Sequence, residues 1–290
     1  MKKALLYSIF ALGIASTTLT SCEDIFGGFL DKQPSNELTG EQVFSDWNLT
    51  VQFHLDTYNF LRHGAGRIST TWLDAATDLA ETSYGNGVRT SFNIGNFYGG
   101  SGASELVDTW EHYYRGIRKC NMLLTRIEEV PQNPADSEDK YNRDKKNYIA
   151  EARFLRAYFY WELFLRYGPI PIVTEVLDPN GDLMSKYTTR PTTKEYVVDF
   201  ILEELKSCEG NLLDYETAWK SSSAGRIGQP MACALRSRIM LFMASPRYSS
   251  ESGITWQQAA DVAKEFIDTY GTNFALFNAK DATGATLGIE

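Results

Sequence analysis

The sequence predicts an all-α fold built from helical hairpins. After residue 39, apolar residues return at three- and four-residue steps in one long segment after another, and proline or glycine stands where those runs stop. One long interval, 64–104, breaks the pattern with glycines and aromatics in no fixed period.

The first helix is predicted to start at 39–41 and run to 62. Val43, Phe44, Trp47, Val51, Leu55, Tyr58 and Leu61 share a face before His63 and Gly64 end it. The interval that follows holds eight of the 22 glycines, interleaved with Trp72, Tyr84, Phe92, Phe97 and Tyr98. A loop this long in a compact protein is usually functional or disordered, and five large aromatics argue against disorder. Helix is predicted again over 105–129, with Leu106, Trp110, Tyr113, Tyr114, Ile117, Cys120, Leu124 and Ile127 as its stripe and Pro131 and Pro134 as its stop.

The segment 139–167 carries two adjacent apolar faces. One has Ile149, Ala152, Leu155, Phe159 and Leu163, the other Ala150, Phe154, Tyr158, Trp161 and Leu165, the pattern of a helix buried between neighbours. Gly168, Pro169 and Pro171 end it, with Ile170, Ile172 and Val173 extended beyond. Thr192 and Glu195 have capping-box spacing, so a helix starts there and runs to Gly210 on Val198, Ile201, Leu205 and Cys208. Pro230 suits a first helical turn and opens a helix with Met231, Ala234, Leu235, Ile239 and Phe242, ending at Pro246. The last helix, 256–270, carries Ala259, Ala260, Val262, Ala263, Phe266 and Ile267.

Upstream of the helices lies a segment of another kind. Lys2 and Lys3 precede a mostly apolar run over 4–19, shorter than the roughly 20 apolar residues a bilayer span takes. Leu19-Thr20-Ser21-Cys22, an aliphatic residue, two small residues and a cysteine, is the bacterial lipoprotein box, where the thiol is acylated and the chain cut before it. Residues 1–21 therefore read as a lipoprotein signal peptide, Cys22 as the acylated, palmitate-bearing residue, and 22–38 as a tether to a helical domain over 39–290. Burying acyl chains contributes about 0.8 kcal/mol per CH2, and two or more chains anchor stably.

The net charge of −9, with no Lys/Arg cluster, argues against a nucleic-acid partner and against wide contact with anionic headgroups. Cys120, Cys208 and Cys233 lack paired spacing and fall at apolar helical positions, which reads as core filling. His54, His63 and His112 are scattered without metal-ligand spacing, and no nucleophile motif or phosphate loop appears. Neither a cofactor nor an enzymatic activity is expected.

What remains is the aromatic loop. Sugar rings expose flat C–H faces that pack on Trp and Tyr, while their hydroxyls need amide, carboxylate or guanidinium partners. Trp72 with Asp74, and Tyr84 with Asn86, Arg89, Phe92 and Asn93, supply both, and Tyr98 adds a ring. These residues are the candidate glycan platform.

Five stretches together carry a family resemblance. They are Cys22-Glu23-Asp24 with Phe29-Leu30-Asp31 and Pro34; Trp110, Tyr114, Ile117, Cys120, Asn121 and Leu124; Glu151 to Ala157 leading to Tyr167-Gly168-Pro169-Ile170-Pro171; Arg190-Pro191-Thr192 with Glu195 and Tyr196; and Gly225-Arg226 leading to Ala234-Leu235 and Ser237-Arg238. In this order they resemble the SusD/RagB family of outer-membrane nutrient-binding lipoproteins. The resemblance implies tetratricopeptide-like hairpins and a lipid-anchored protein on the exterior of the cell outer membrane. It also implies capture of oligosaccharide, or occasionally peptide, as a lid on a SusC-like TonB-dependent transporter. Arg153 and Arg156 match motif positions and are expected to brace hairpins by pairing with acids such as Glu111 or Glu162. Family members continue for a second portion of comparable size, so a chain stopping at Glu290 is expected to be truncated before the usual C-terminal portion. The competing expectation is a helical-repeat scaffold lipoprotein that binds a protein partner and no sugar.

Overall fold

The computed structural model describes residues 39–62, 73–81, 93–95, 104–178, 180–220 and 224–274. The chain divides into two compact units at Val43/Phe44. In the first, helix α1 (Gly40–Phe44) begins where predicted. The Thr39 N–H donates to Gln42 Oε1 at 2.9 Å and the Gln42 N–H to Thr39 Oγ1 at 3.3 Å, a reciprocal cap.

The predicted first helix is not continuous. It breaks at Ser45, and Asp46 caps a new helix α2 (Trp47–Asp56) by accepting from the Leu49 N–H at 2.9 Å; a 3-10 turn (Thr57–Phe60) follows. The buried face differs too, running Phe44, Trp47, Thr50, His54 and Thr57 while Leu55 is exposed. A histidine stands in the core because a buried carboxylate from another helix meets it.

Helices α3 (Ser104–Arg126) and α4 (Glu138–Tyr167) form the central hairpin. Ser137 caps α4 by accepting from the Lys140 N–H at 3.3 Å, and Gly168 ends it at φ 66°, a left-handed conformation that favours glycine. The two helices approach closely at Gly116, where a Cβ would lie 2.7 Å from the Phe159 ring. From Ala150 to Phe164 nearly every α4 side chain is buried, as its two apolar faces predict; Leu165 is the exception, exposed at the end.

After α5 (Leu183–Lys186), the Thr192 N–H donates to Glu195 Oε2 at 2.7 Å and the Glu195 N–H to Thr192 Oγ1 at 3.2 Å, the predicted capping box. The helix it opens starts as a π-helix (Lys194–Leu202) and continues as α6 (Glu203–Glu209). The wider π winding shifts the phase, so Tyr196 and Val197 are buried and Val198 only in part. Then come α7 (Tyr215–Lys220), α8 (Gln229–Met243) with Pro230 in its first turn, α9 (Ser249–Ser252) and α10 (Trp256–Tyr270). Thr255 and Gln258 form a further capping box at the start of α10.

The predicted stripe of α8 is rotated. Ala232, Cys233, Arg236, Ile239 and Met243 are buried, whereas Met231 and Phe242 are exposed. Arg236 turns inward because Glu209 and Glu265 meet it at 3.4 and 2.6 Å. The packing is serial: α3 on α4, α4 on α6, α6 on α8, α8 on α10. Among the described residues there is no strand, only one isolated bridge between Leu213 and Gly228. Cys120, Cys208 and Cys233 are buried free thiols, as their apolar positions predict.

Candidate functional site

The aromatic loop connects the first helical segment to α3 in sequence, and the structure ties its two stems together. Arg62 donates from Nη1 to Thr109 Oγ1 at 3.1 Å, with its guanidinium 5.6 Å from the Tyr113 ring centre. Beside it, His112 Nε2 bonds the Phe60 carbonyl at 2.9 Å, and burial lowers the pKa of that imidazole. Two side-chain links thus hold the loop's stems against the central hairpin.

Within the loop, a 3-10 turn (Leu73–Ala76) carries Asp74. Its carbonyl accepts from Thr77 Oγ1 at 2.7 Å, and Asn93 donates from Nδ2 to the Ala75 carbonyl at 3.1 Å. Asn93 is thereby tied to the turn that carries Asp74; both residues are exposed, and Ala75 between them in the turn is buried. Trp72, Tyr84, Asn86, Arg89, Phe92 and Tyr98 lie outside the described residues, as does Cys22.

One aromatic assigned to the core by its helical spacing belongs to the surface. Trp110, near the start of α3, is 41% exposed, and its ring meets Tyr114 at 4.9 Å and Tyr167 at 5.2 Å. The Tyr114 hydroxyl donates to the Pro171 carbonyl at 3.0 Å, while Arg190 donates to the Tyr167 and Pro169 carbonyls at 3.2 and 3.3 Å. The Gly-Pro exit turn is thereby fixed against a surface ring. The only signal in the sequence was position, a Trp at the outer end of a stripe next to the loop.

Two buried networks keep this frame rigid. Arg156 donates from Nε and Nη2 to Glu204 Oε2 at 3.1 and 2.6 Å and from Nη1 to Asn121 Oδ1 at 2.9 Å. Asn121 in turn donates to the Val173 and Glu175 carbonyls, so α3, α4, α6 and the extended segment meet at one guanidinium. Arg153 likewise reaches Glu204, at 3.5 Å. Both arginines do brace helices, but through Glu204; Glu111 pairs with Arg115 and Glu162 with Arg166, each one turn away on its own helix. Tyr160 adds a clasp, donating to the Val173 carbonyl at 3.0 Å and accepting from the Val173 N–H at 2.7 Å.

The second network centres on Glu151, which is fully buried. His54 and the Tyr58 hydroxyl each reach its Oε2 at 2.8 Å, and Arg226 reaches its Oε1 at 2.6 Å. Burial, and then the Glu151 charge, pushes the Tyr58 phenol well up, so the phenol stays a donor. Around Cys233, Glu209 and Glu265 come close enough to hold a cation, yet Arg236 already pairs with both.

Against this geometry, the sequence profile of a family described as starch-binding and associating with the outer membrane matches residues 28–241. The chain belongs to the SusD-like family. Among curated relatives, SusD-like protein P38 of Formosa agariphila is 25% identical over 216 residues, 73% of this chain and 39% of that protein. SusD-like protein P25 of the same organism is 25% identical over 167 residues, 54% of this chain and 29% of that protein. A solved SusD-like protein from Bacteroides fragilis superposes with a TM-score of 0.58 at 25% identity, covering 85% of this chain and 42% of that one. A laminarin-binding SusD-like protein gives a TM-score of 0.57 at 21% identity, over 84% and 47% of the two chains, and shows the shared helical fold. This SusD-like chain spans about two fifths of the length of P38. No helix among its described residues is long and apolar enough to cross a membrane.

Proposed function

We propose that this chain captures oligosaccharides at the cell surface and passes them to a SusC-like TonB-dependent transporter. Acylated Cys22 holds it to the outer membrane, facing the exterior, after removal of residues 1–21. The observation that carries this reading is the family match over residues 28–241, whose description joins starch binding to the outer membrane. The tied loop supports it, because Asn93 links its segment to the turn that carries Asp74, both residues are exposed, and Trp110 presents a ring near the loop's stem. Trp72, Tyr84, Asn86, Arg89, Phe92 and Tyr98 complete the proposed platform. Binding of this kind needs stacking faces and hydrogen-bond partners and no nucleophile. The ligand leaves unaltered.

A glycan array probed with the chain from Cys22 onward tests the reading. Specific retention of oligosaccharides, recovered without cleavage, is the expected outcome; retention of none would overturn it. A second reading, a protein-interaction scaffold, is favoured by the exposed Met231, Leu241, Phe242, Trp256 and Ile267 on α8 and α10. Binding of a protein partner that survives deletion of 64–104, with no glycan retained, would put that reading first.

A further inference from the structure

Among the described residues, a cleft lined by none of the loop lies where the start of α4 faces the turn between α6 and α7. Its volume is about 720 Å³, within the range of small-molecule sites. Arg143, Lys146, Tyr148, Asn211, Asp214 and Arg226 are among its lining residues. Their chemistry is uneven. Asp214 is committed to the first turn of α7, accepting from the Thr217 N–H at 2.9 Å and from its hydroxyl at 2.8 Å, which holds the carboxyl below its usual range. Arg226 is committed to Glu151 and Asn147. By contrast, the Lys146 ammonium, the Tyr148 hydroxyl and the Asn211 side chain make no hydrogen bond within the described structure. Arg143 is exposed, with a single ionic contact to Asp144 at 3.5 Å. The Asp144 carboxylate also lines the cleft and is held by Lys140 at 3.0 Å and by Arg143, so among the described lining residues Lys146 is the unpaired cation, with Arg143 on a single long contact, and Tyr148 and Asn211 add groups able to donate.

A donor-rich cleft with fixed walls suits a ligand rich in acceptors that carries negative charge. We infer that this cleft is a subsite for acidic oligosaccharide, with Arg143 and Lys146 reading a uronate carboxylate and Asn211 and Tyr148 reading neighbouring hydroxyls. The inference rests on the glycan-capture reading and adds a charge preference at this cleft. Arg143 and Lys146 are exposed and their replacement leaves the core intact, so the double variant R143Q/K146Q is expected to fold.

The test is calorimetric titration of the full chain with a galacturonate tetramer and with the same tetramer carboxyl-reduced to its neutral form. The acidic tetramer is expected to bind at least about tenfold more tightly at 50 mM salt, the advantage shrinking as salt rises. R143Q/K146Q should erase that advantage and leave binding of neutral glycans unchanged. Equal affinity for the two tetramers, no binding of the acidic one, or an advantage retained in R143Q/K146Q would each overturn the inference. So would equally tight binding of an acidic tetrapeptide, which would make the cleft a general anion site. Neutral-glycan binding persists in all of these outcomes if the wider reading holds, so the two fail separately.

Discussion

The central hairpin and the last helical pair are built from similar residues and treat them differently. In α4, Phe154, Phe159, Tyr160, Trp161 and Phe164 are all buried, and two arginines and a glutamate cross-link it to its neighbours. In α8 and α10, Met231, Leu241, Phe242, Trp256 and Ile267 stand exposed, and α10 buries only Ala259 fully. Apolar content by itself therefore does not mark a core. Enclosure on both sides does, and the helix that has it is the one that carries the loop's frame.

The largest break in that contrast comes from Glu151→Ala. It leaves Arg226 facing its buried end of the cleft without a counter-charge and takes partners from His54 and Tyr58. Removing one member of a buried ion pair costs about 3–5 kcal/mol. Urea denaturation should show a loss of that size, and a loss under about 1 kcal/mol would mean the network is ornamental to stability. A smaller effect is expected from Gly116→Ala, whose added methyl meets the Phe159 ring in the closest contact between α3 and α4. Overpacking of this kind costs about 1–3 kcal/mol, read in the same denaturation assay. At the bottom of the scale stands Ile267→Ser, at an exposed position on α10, expected to change stability by no more than about 0.5 kcal/mol in the same assay.

The same contrast separates what could be read in the sequence from what could not. Caps and stops were legible because they are local: Thr192 with Glu195, Pro230, and Gly168 act within a few residues. The double face of α4 was legible because its burial is nearly complete. The buried faces of α2 and α8 were not, since His54 and Arg236 count as polar until Glu151, 97 residues away, or Glu209 and Glu265 arrive to pair with them. The choice of Glu204 over Glu111 and Glu162 for Arg156 had the same origin: helix packing, not spacing, selects the partner. Of the candidate platform, the structure ties Asn93 to the turn that carries Asp74 through the Ala75 carbonyl, a link that no motif announces. Trp110 is the opposite case, a regular helical step that predicts core for a ring that is 41% exposed.

On the proposed reading the loop held by the braced hairpin, and not the exposed apolar residues of the last helices, takes the glycan. Titration calorimetry of one retained oligosaccharide against the wild-type chain, Trp72→Ala and Ile267→Ser tests it most directly. The predicted result is a loss of at least about tenfold in affinity for Trp72→Ala, in line with the removal of one stacking ring, and no change for Ile267→Ser. Unchanged affinity in Trp72→Ala, or a loss confined to Ile267→Ser, would contradict it.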